Sequence, residues 1–487
     1  MTTRGVLLNE PRRQAMMKAL GDARAPLLRE TRDFVVSEIF ASVLQGDKPL
    51  PNKKLFLTKW RCRCCRAGKI KTQHCWTCAD YKERPGLRIL YNLPKCRQCG
   101  GEPKRDDLTF KPTSTQQVKI VLYNLLKLPK RLKDGKLTAD EEALKSLLAH
   151  DSSGFVKKLI EIRKLSTMRS IFKRITPGAD GRIRSFYNPA GTETGRFSSS
   201  GGRPESKVNW ALVESTNLQN MPKKEAKVDA RFNVRHCFVP EPGHVFIEAD
   251  LGGAEAWVTA ACSGDDRLLQ RLADPNFNIH VWTAAHIFNR SESSIHKDSY
   301  EYVLGKMGRH ALNYGMQHMT FLRNVNAEAD KTGIAITSGE SRQITTGYHK
   351  LTPALKPWWA RVATQLASKK QLTTCFGRKR TFFGRGQGVW LGEAHREAIA
   401  YEPQSTVADL LNRGLLRWWR QHDGKIGDLL MQVHDSVLIS VPEARAALAA
   451  RLLRRCLEEE IEVNGRKFTI PVEVSVSETS WAEMKAA

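Results

Sequence analysis

The sequence predicts a fold of mixed helix and strand content with a β-hairpin near its C-terminal end. Apolar residues recur at helical spacing near the start: Met16, Met17, Leu20, then Leu27, Leu28 and Val35, Val36, Ile39. From Val245 onward, strand-like and helical pieces alternate to the C-terminus. Between Leu429 and Val441, two β-prone runs flank a polar turn, the pattern of a hairpin with His434 and Asp435 at its tip.

Taken in order, residues 1–50 read as helix, with Pro11 near the start, where a missing N–H costs least. Residues 51–105 are cysteine-rich and basic, with no sustained apolar period. Helical patterning resumes at Val118–Leu126, Glu141–Leu148 and Phe155–Phe172. The Gly- and Ser-rich passage from Gly178 to Ser206 reads as turns and short strands. Val245-Phe-Ile-Glu-Ala-Asp250 is an apolar-rich strand ending in a carboxylate. A helix is expected over 300–314, ending at Gly315, with Lys306, His310 and Tyr314 on one face at i, i+4, i+8. No internal repeat interrupts this order.

The 487 residues carry 78 Lys+Arg against 51 Asp+Glu, a net charge of +27, and 41% hydrophobic residues. That composition excludes collagen-like, disulfide-scaffold and disordered classes. The surplus charge points to a polyphosphate backbone as partner. No apolar run reaches the ~18 residues of a membrane span, and the apolar start is too short for a signal peptide. A soluble, cytoplasmic protein is expected, in which the eleven cysteines serve as thiols or metal ligands rather than disulfides.

Three Cys-x-x-Cys pairs lie close together, Cys62/Cys65, Cys75/Cys78 and Cys96/Cys99, beside Cys64 and His74. Each pair can present two thiolates to one tetrahedral cation, so a structural Zn²⁺ module is expected, with one site or two. Which ligands share a metal is left open by the spacing. The interleaved Lys and Arg suggest a grip on a phosphate backbone rather than chemistry.

Asp250 and Asp435, two strand-end carboxylates in a basic protein, suit a site for two Mg²⁺ ions ~3.5–4 Å apart in phosphoryl displacement. On the helix between them, an ammonium, an imidazole and a phenol in a row can reach a triphosphate, a sugar and a base. No Gly-x₄-Gly-Lys-Ser/Thr loop is present, so P-loop hydrolysis of nucleotides is not expected.

Asp250-Leu-Gly-Gly-Ala-Glu255, Lys306-x₃-His310-x₃-Tyr314-Gly315 and Val433-His434-Asp435 resemble motifs A, B and C of family A DNA polymerases, the group of bacterial DNA polymerase I and phage replicases. Thr194-Gly195-Arg196-Phe197, Asn217-Leu218-Gln219-Asn220, Ile279-His280 and Pro403-Gln404-Ser405-Thr406 agree, in the family's order. The resemblance covers roughly Phe110 to the C-terminus and leaves the cysteine-rich segment as an insertion. It implies an α+β right-hand polymerase fold with an antiparallel palm sheet: thumb at 1–51 and 106–186, zinc insertion at 52–105, palm at 187–264 and 400–487, fingers at 265–399.

The resemblance also implies roles. Asp250 and Asp435, with the Leu251 carbonyl, would hold two Mg²⁺, and Lys306 would bind the incoming dNTP and protonate pyrophosphate. His310 would pack on the sugar, Tyr314 and Gly315 would close over the nascent pair, and Glu255 would exclude a 2′-hydroxyl. Arg196 and Gln404 would read the minor-groove edge, Arg396 the template side, His280 and Lys224 the phosphates and backbone, and His434 the primer terminus. The implied activity is primer extension on template DNA by DNA-directed DNA synthesis. With thumb-like helices beginning almost at Met1, 3′→5′ proofreading within this chain is not expected.

Two positions depart from the pattern. Ser436 stands where a Glu usually follows His-Asp, and Tyr302 where motif B usually begins with Arg. Arg309 is the residue that could restore the second charge. A single-subunit RNA polymerase, which shares the His-Asp-Ser tip, is the nearest rival. Glu255 argues against it, since RNA synthesis needs room there. A catalytically inactive nucleic-acid clamp is the other alternative, and retention of both aspartates and Lys306 argues against that.

Overall fold

The computed structural model describes residues 4–44, 110–200, 216–222, 232–297, 299–383 and 393–487, the side chains of 40–44, 330–331 and 393 aside. The six knuckle cysteines, Cys62, Cys65, Cys75, Cys78, Cys96 and Cys99, and also Lys224, therefore lie outside the described residues. The chain divides into two compact units, one of residues 15–173 and one of residues 1–14 with 174–487.

The described residues of the 15–173 unit are mainly helical, as the apolar spacing predicts, with one short hairpin over 132–137. Most of α1 (Glu10–Leu44) and all of α2 (Phe155–Arg174) but its last residue belong to it. Val35, Val36 and Ile39 share a core with Phe155, Val156 and Leu159. The expected helix over 118–126 starts earlier, at Thr115, and widens into a π-helical turn over Val121–Leu125. The Asp140 carboxylate caps the next helix by accepting from the Ala143 N–H at 2.9 Å.

The larger unit is built on a five-stranded antiparallel sheet. Its strands are β1 (His244–Leu251), β2 (Asp428–Val433), β3 (Ser436–Pro442), β4 (Val472–Ser477) and β5 (Lys485–Ala486), in the order β2-β3-β1-β4-β5. Alternation along β1 settles its two faces. Val245, Ile247, Ala249 and Leu251 enter the main apolar cluster, so Phe246, Glu248 and Asp250 point to the opposite face. The same holds on β3, whose Val437, Ile439 and Val441 enter that cluster.

Register then fixes which residues meet. Asp250 lies opposite Ser436 on β3 and opposite Glu473 on β4. Val433 pairs with Ser436, so His434 and Asp435 form a two-residue turn, with His434 at φ 55°.

Against the apolar side packs the helix Ala446–Leu457; α3 (Ala254–Ser263) and the long helix Glu393–Gln421, whose Val407, Leu410, Leu411 and Trp418 are buried, belong to the same core. Beyond α3 come α4 (Ile279–Phe288) and α5 (Tyr300–Leu312). α5 opens on Ser299, whose hydroxyl accepts from the Tyr302 N–H at 3.2 Å. It ends at Leu312 rather than Tyr314, and Gly315 (φ 77°) completes the turn that follows. α4 and α5 touch closely because residue 305 is Gly: a Cβ there would stand 3.0 Å from the backbone of Ala284. Among the described residues, no helix is long and apolar enough to cross a membrane.

Candidate active site

The two aspartates arrive from strands far apart in sequence and adjacent in the sheet. Asp250 sits near the end of β1, and Asp435 in the turn before β3. The Leu251 N–H donates to the Asp435 carbonyl at 3.2 Å, pinning the two segments together. Gln432, a polar residue following three apolar ones on β2, braces the turn: its Nε2 donates to the His434 carbonyl, and its Oε1 accepts from Gln219 Nε2 at 2.7 Å.

Both aspartates open onto a cleft of about 740 Å³. Arg196, Leu251, Glu255, His280, Lys306, His310, Tyr314 and His434 line it with them. Ten sequence-predicted residues thus converge on one cavity. Gly315, Arg396 and Gln404 are not among its lining residues.

Electrostatics inside the cleft are unbalanced. Burial pushes the Asp435 carboxyl above its ordinary value, Arg196 pulls it back, and the charges of Glu255 and Asp250 push it up further. Arg196 Nη2 donates to Glu255 Oε1 at 2.9 Å and to Asp435 Oδ1 at 3.4 Å. Tyr314 donates to the other Glu255 oxygen at 3.0 Å. Burial, then Glu255, raises the Tyr314 phenol well above its usual range, so it remains a donor. Glu255 is thereby held from both sides.

Lys306 and His310, exposed residues of α5, also line the cavity. The His280 ring lies 5.7 Å from that of His310 and 5.8 Å from that of Tyr302. Burial above all holds His280 down to about 3, with His310, Lys306 and Arg309 adding repulsion.

Arg309, expected to restore the missing charge, is among the residues lining the cleft, but it is buried. Its guanidinium turns into the protein, donating from Nε to Thr283 Oγ1 at 2.9 Å and lying 5.5 Å from the Trp282 ring and 5.6 Å from the Tyr348 ring. Position 309 follows 305 and 308 on the buried stripe of α5, so helical phase directs its guanidinium away from the face of Lys306. Sequence reasoning had no role for Asn313, Gln219 or Gln432, which also line the cleft. Gln432 had a signal: an amide within a strand whose neighbours are all apolar.

Among the described residues, no group of three or more His, Cys, Asp or Glu is placed to hold a metal ion. Two converging carboxylates in an open cleft nevertheless fit Mg²⁺, which keeps waters and substrate phosphates and needs only one or two carboxylates from the protein.

The family model described as DNA polymerase family A matches residues 102–483. The thermostable DNA polymerase I of Thermus filiformis is 27% identical over 389 residues, 77% of this chain and 42% of that protein. The DNA polymerase I of Chloroflexus aurantiacus is 26% identical over 389 residues, covering 77% and 38%. The chain spans about two fifths of the length of these curated relatives. Among solved structures, the POL domain of Pol1 from M. smegmatis, in complex with DNA primer-template and dNTP, superposes with a TM-score of 0.67. It is 18% identical and covers 98% of this chain and 67% of that one.

Proposed function

Because the chain belongs to DNA polymerase family A, we propose that it is a DNA-directed DNA polymerase that extends a primer 3′-hydroxyl with dNTPs on a DNA template. The observation that carries the reading is the convergence of Asp250 and Asp435 on one cleft that Lys306 and His310 also line. The net charge of +27 favours a nucleic-acid partner.

In this reading, Lys306 meets the triphosphate and gives its proton to the departing pyrophosphate, while His310 lies against the sugar. Glu255, held by Arg196 and Tyr314, occupies the space a ribose 2′-hydroxyl would need. Arg196 leaves Asp435 for the minor-groove edge of the primer end once DNA is bound. Asp250, Asp435 and the Leu251 carbonyl would hold two Mg²⁺, which neutralise charge on the attacking and leaving oxygens. The remaining barrier is lowered by alignment of hydroxyl and phosphorus, which rigid strand ends provide.

The sheet with its flanking helices would be the palm, 265–399 the fingers and the helices of 1–51 and 106–186 the thumb. The paired cysteines of 52–105 would form a structural zinc module gripping the backbone, a reading that rests on their spacing and that metal analysis of the purified protein tests. Arg396 and Gln404 on the Glu393–Gln421 helix, together with Gly315 and Lys224, would contact DNA.

Primer extension with Mg²⁺ and either dNTPs or rNTPs, on wild type and Asp435→Ala, decides the matter. Metal-dependent dNTP incorporation lost in the variant is expected. Equal use of rNTPs would favour an RNA polymerase, and no synthesis by either protein would leave a binding clamp.

A further inference from the structure

Family A enzymes usually carry a Glu after His-Asp, and this chain has Ser436. The register puts that Ser directly opposite Asp250, so the position left without a carboxylate adjoins the aspartate pair. One step back along the same face of β1 is Glu248, about 6.6 Å from Asp250 at the usual strand rise. It is 7% exposed, and its Oε1 accepts from the Ser436 hydroxyl at 3.0 Å.

A carboxylate so enclosed demands compensation. Arg235 feels its charge, yet that guanidinium gives its hydrogen bonds to the Pro222 and Met221 carbonyls at 3.1 and 3.2 Å and lies 3.6 Å over the Trp481 ring. Among the described residues, Ser436 is the hydrogen-bond donor Glu248 has. Ser436 Oγ is also 2.9 Å from the Val433 carbonyl, and one hydroxyl hydrogen serves only one acceptor at a time. When it serves Glu248, the oxygen lone pairs of Ser436 stay available beside Asp250.

We propose that Glu248, linked through Ser436, supplies the third negative charge of the Asp250–Asp435 site, making it a positioning residue that strengthens divalent-cation binding. The acidic group has moved from β3 to β1 across a single pair of neighbouring strands, with Ser436 as the bridge. Glu473, the other neighbour of Asp250 in the register, is exposed, and its carboxylate oxygen lies beside Gly252. Water therefore screens its charge more than that of Glu248. This proposal rests on the polymerase reading of the cleft.

The test is calorimetric titration of the DNA-free protein with Mn²⁺ alone, alongside the Mg²⁺ dependence of primer extension. Glu248→Gln keeps an acceptor for Ser436 and removes only the charge, so a purely structural role predicts no change. The expected result is Mn²⁺ binding weakened about tenfold, with a matching rise in the Mg²⁺ needed for half-maximal extension. Ser436→Ala should shift both in the same direction by about threefold. The exchange Glu248→Ser with Ser436→Glu, which returns the carboxylate to its usual place, should restore both to within about threefold. Wild-type Mn²⁺ binding in Glu248→Gln, or a larger loss in Glu473→Gln, overturns the proposal while extension by wild type leaves the polymerase reading intact. A folded wild type that binds no Mn²⁺ and extends no primer overturns both.

Discussion

Gly195, beside the site arginine, is held by two constraints at once, and Gly195→Ala separates them. Its φ is +79°, and a Cβ would stand 2.5 Å from Arg378 Cζ and 2.6 Å from two of that guanidinium's nitrogens. The left-handed backbone costs an alanine about 1–2 kcal/mol. Arg378 could swing aside, but it grips Asp409 at two points, Nε to Oδ2 at 2.9 Å and Nη2 to Oδ1 at 2.6 Å. The Asp409 side chain is only 12% exposed and that of Arg378 36%. Hydrogen bonds to charged groups are worth about 1.5–3 kcal/mol, and the exposure of Arg378 puts this pair at the lower end.

The sum is a destabilisation of about 3 kcal/mol, readable as a fall in the urea midpoint. In an Arg378→Ala background the collision is gone, so Gly195→Ala should cost only the backbone share, about 1–2 kcal/mol. The double-mutant cycle should therefore show coupling of about 1.5 kcal/mol. Additivity within about 0.5 kcal/mol, or a single variant as stable as wild type, would refute the reasoning. Because Arg196 is the next residue, primer extension should slow in the single variant as well.

Three further outcomes are expected. Tyr314→Phe removes one of the two groups holding Glu255, and a loss of about 1 kcal/mol should lower discrimination between dNTP and rNTP about fivefold in kcat/KM; unchanged discrimination counts against the hold. Gly305→Val drives a branched side chain against the Ala284 backbone, at about 1–3 kcal/mol. It should also raise the dNTP KM by displacing Lys306, and a wild-type KM with wild-type stability would count against the close contact. Burial chiefly lowers His236, His280 (to about 3) and His349 below their usual 6.5, so the fold favours their neutral forms and unfolding at acid pH takes up protons. Stability should be full above pH 6.5 and fall as pH drops toward 3. The urea midpoint at pH 5.5 should lie below that at pH 7.5, His280→Asn should narrow the gap, and equal midpoints would contradict the account.

Much of the site was legible in residue order because strand ends and helix faces are local properties. The run from Val245 to Asp250 alternates toward one apolar core, and the polar pair between two β-prone runs could only be a turn, so both aspartates were placed on the correct elements. Lys306 and His310 share a face by helical phase alone. The same phase places Arg309 on the buried stripe, yet charge by itself had suggested a substitute for the arginine missing at position 302. Gln432 was passed over because bracing a neighbouring turn is a contact between segments, invisible until Gln219 is seen beside it.

What the sequence determined, then, was the identity of the elements and the chemistry each could present, since hydrophobic period and turn residues act within a few positions. Tertiary structure alone decided the register that sets Asp250 beside Ser436, and with it the meeting of Glu248 and Ser436, 188 residues apart in the chain. It also decided that Arg196 spans Glu255 and Asp435. Pairing across strands depends on the whole sheet settling its core face at once, and no local stretch of sequence carries that information.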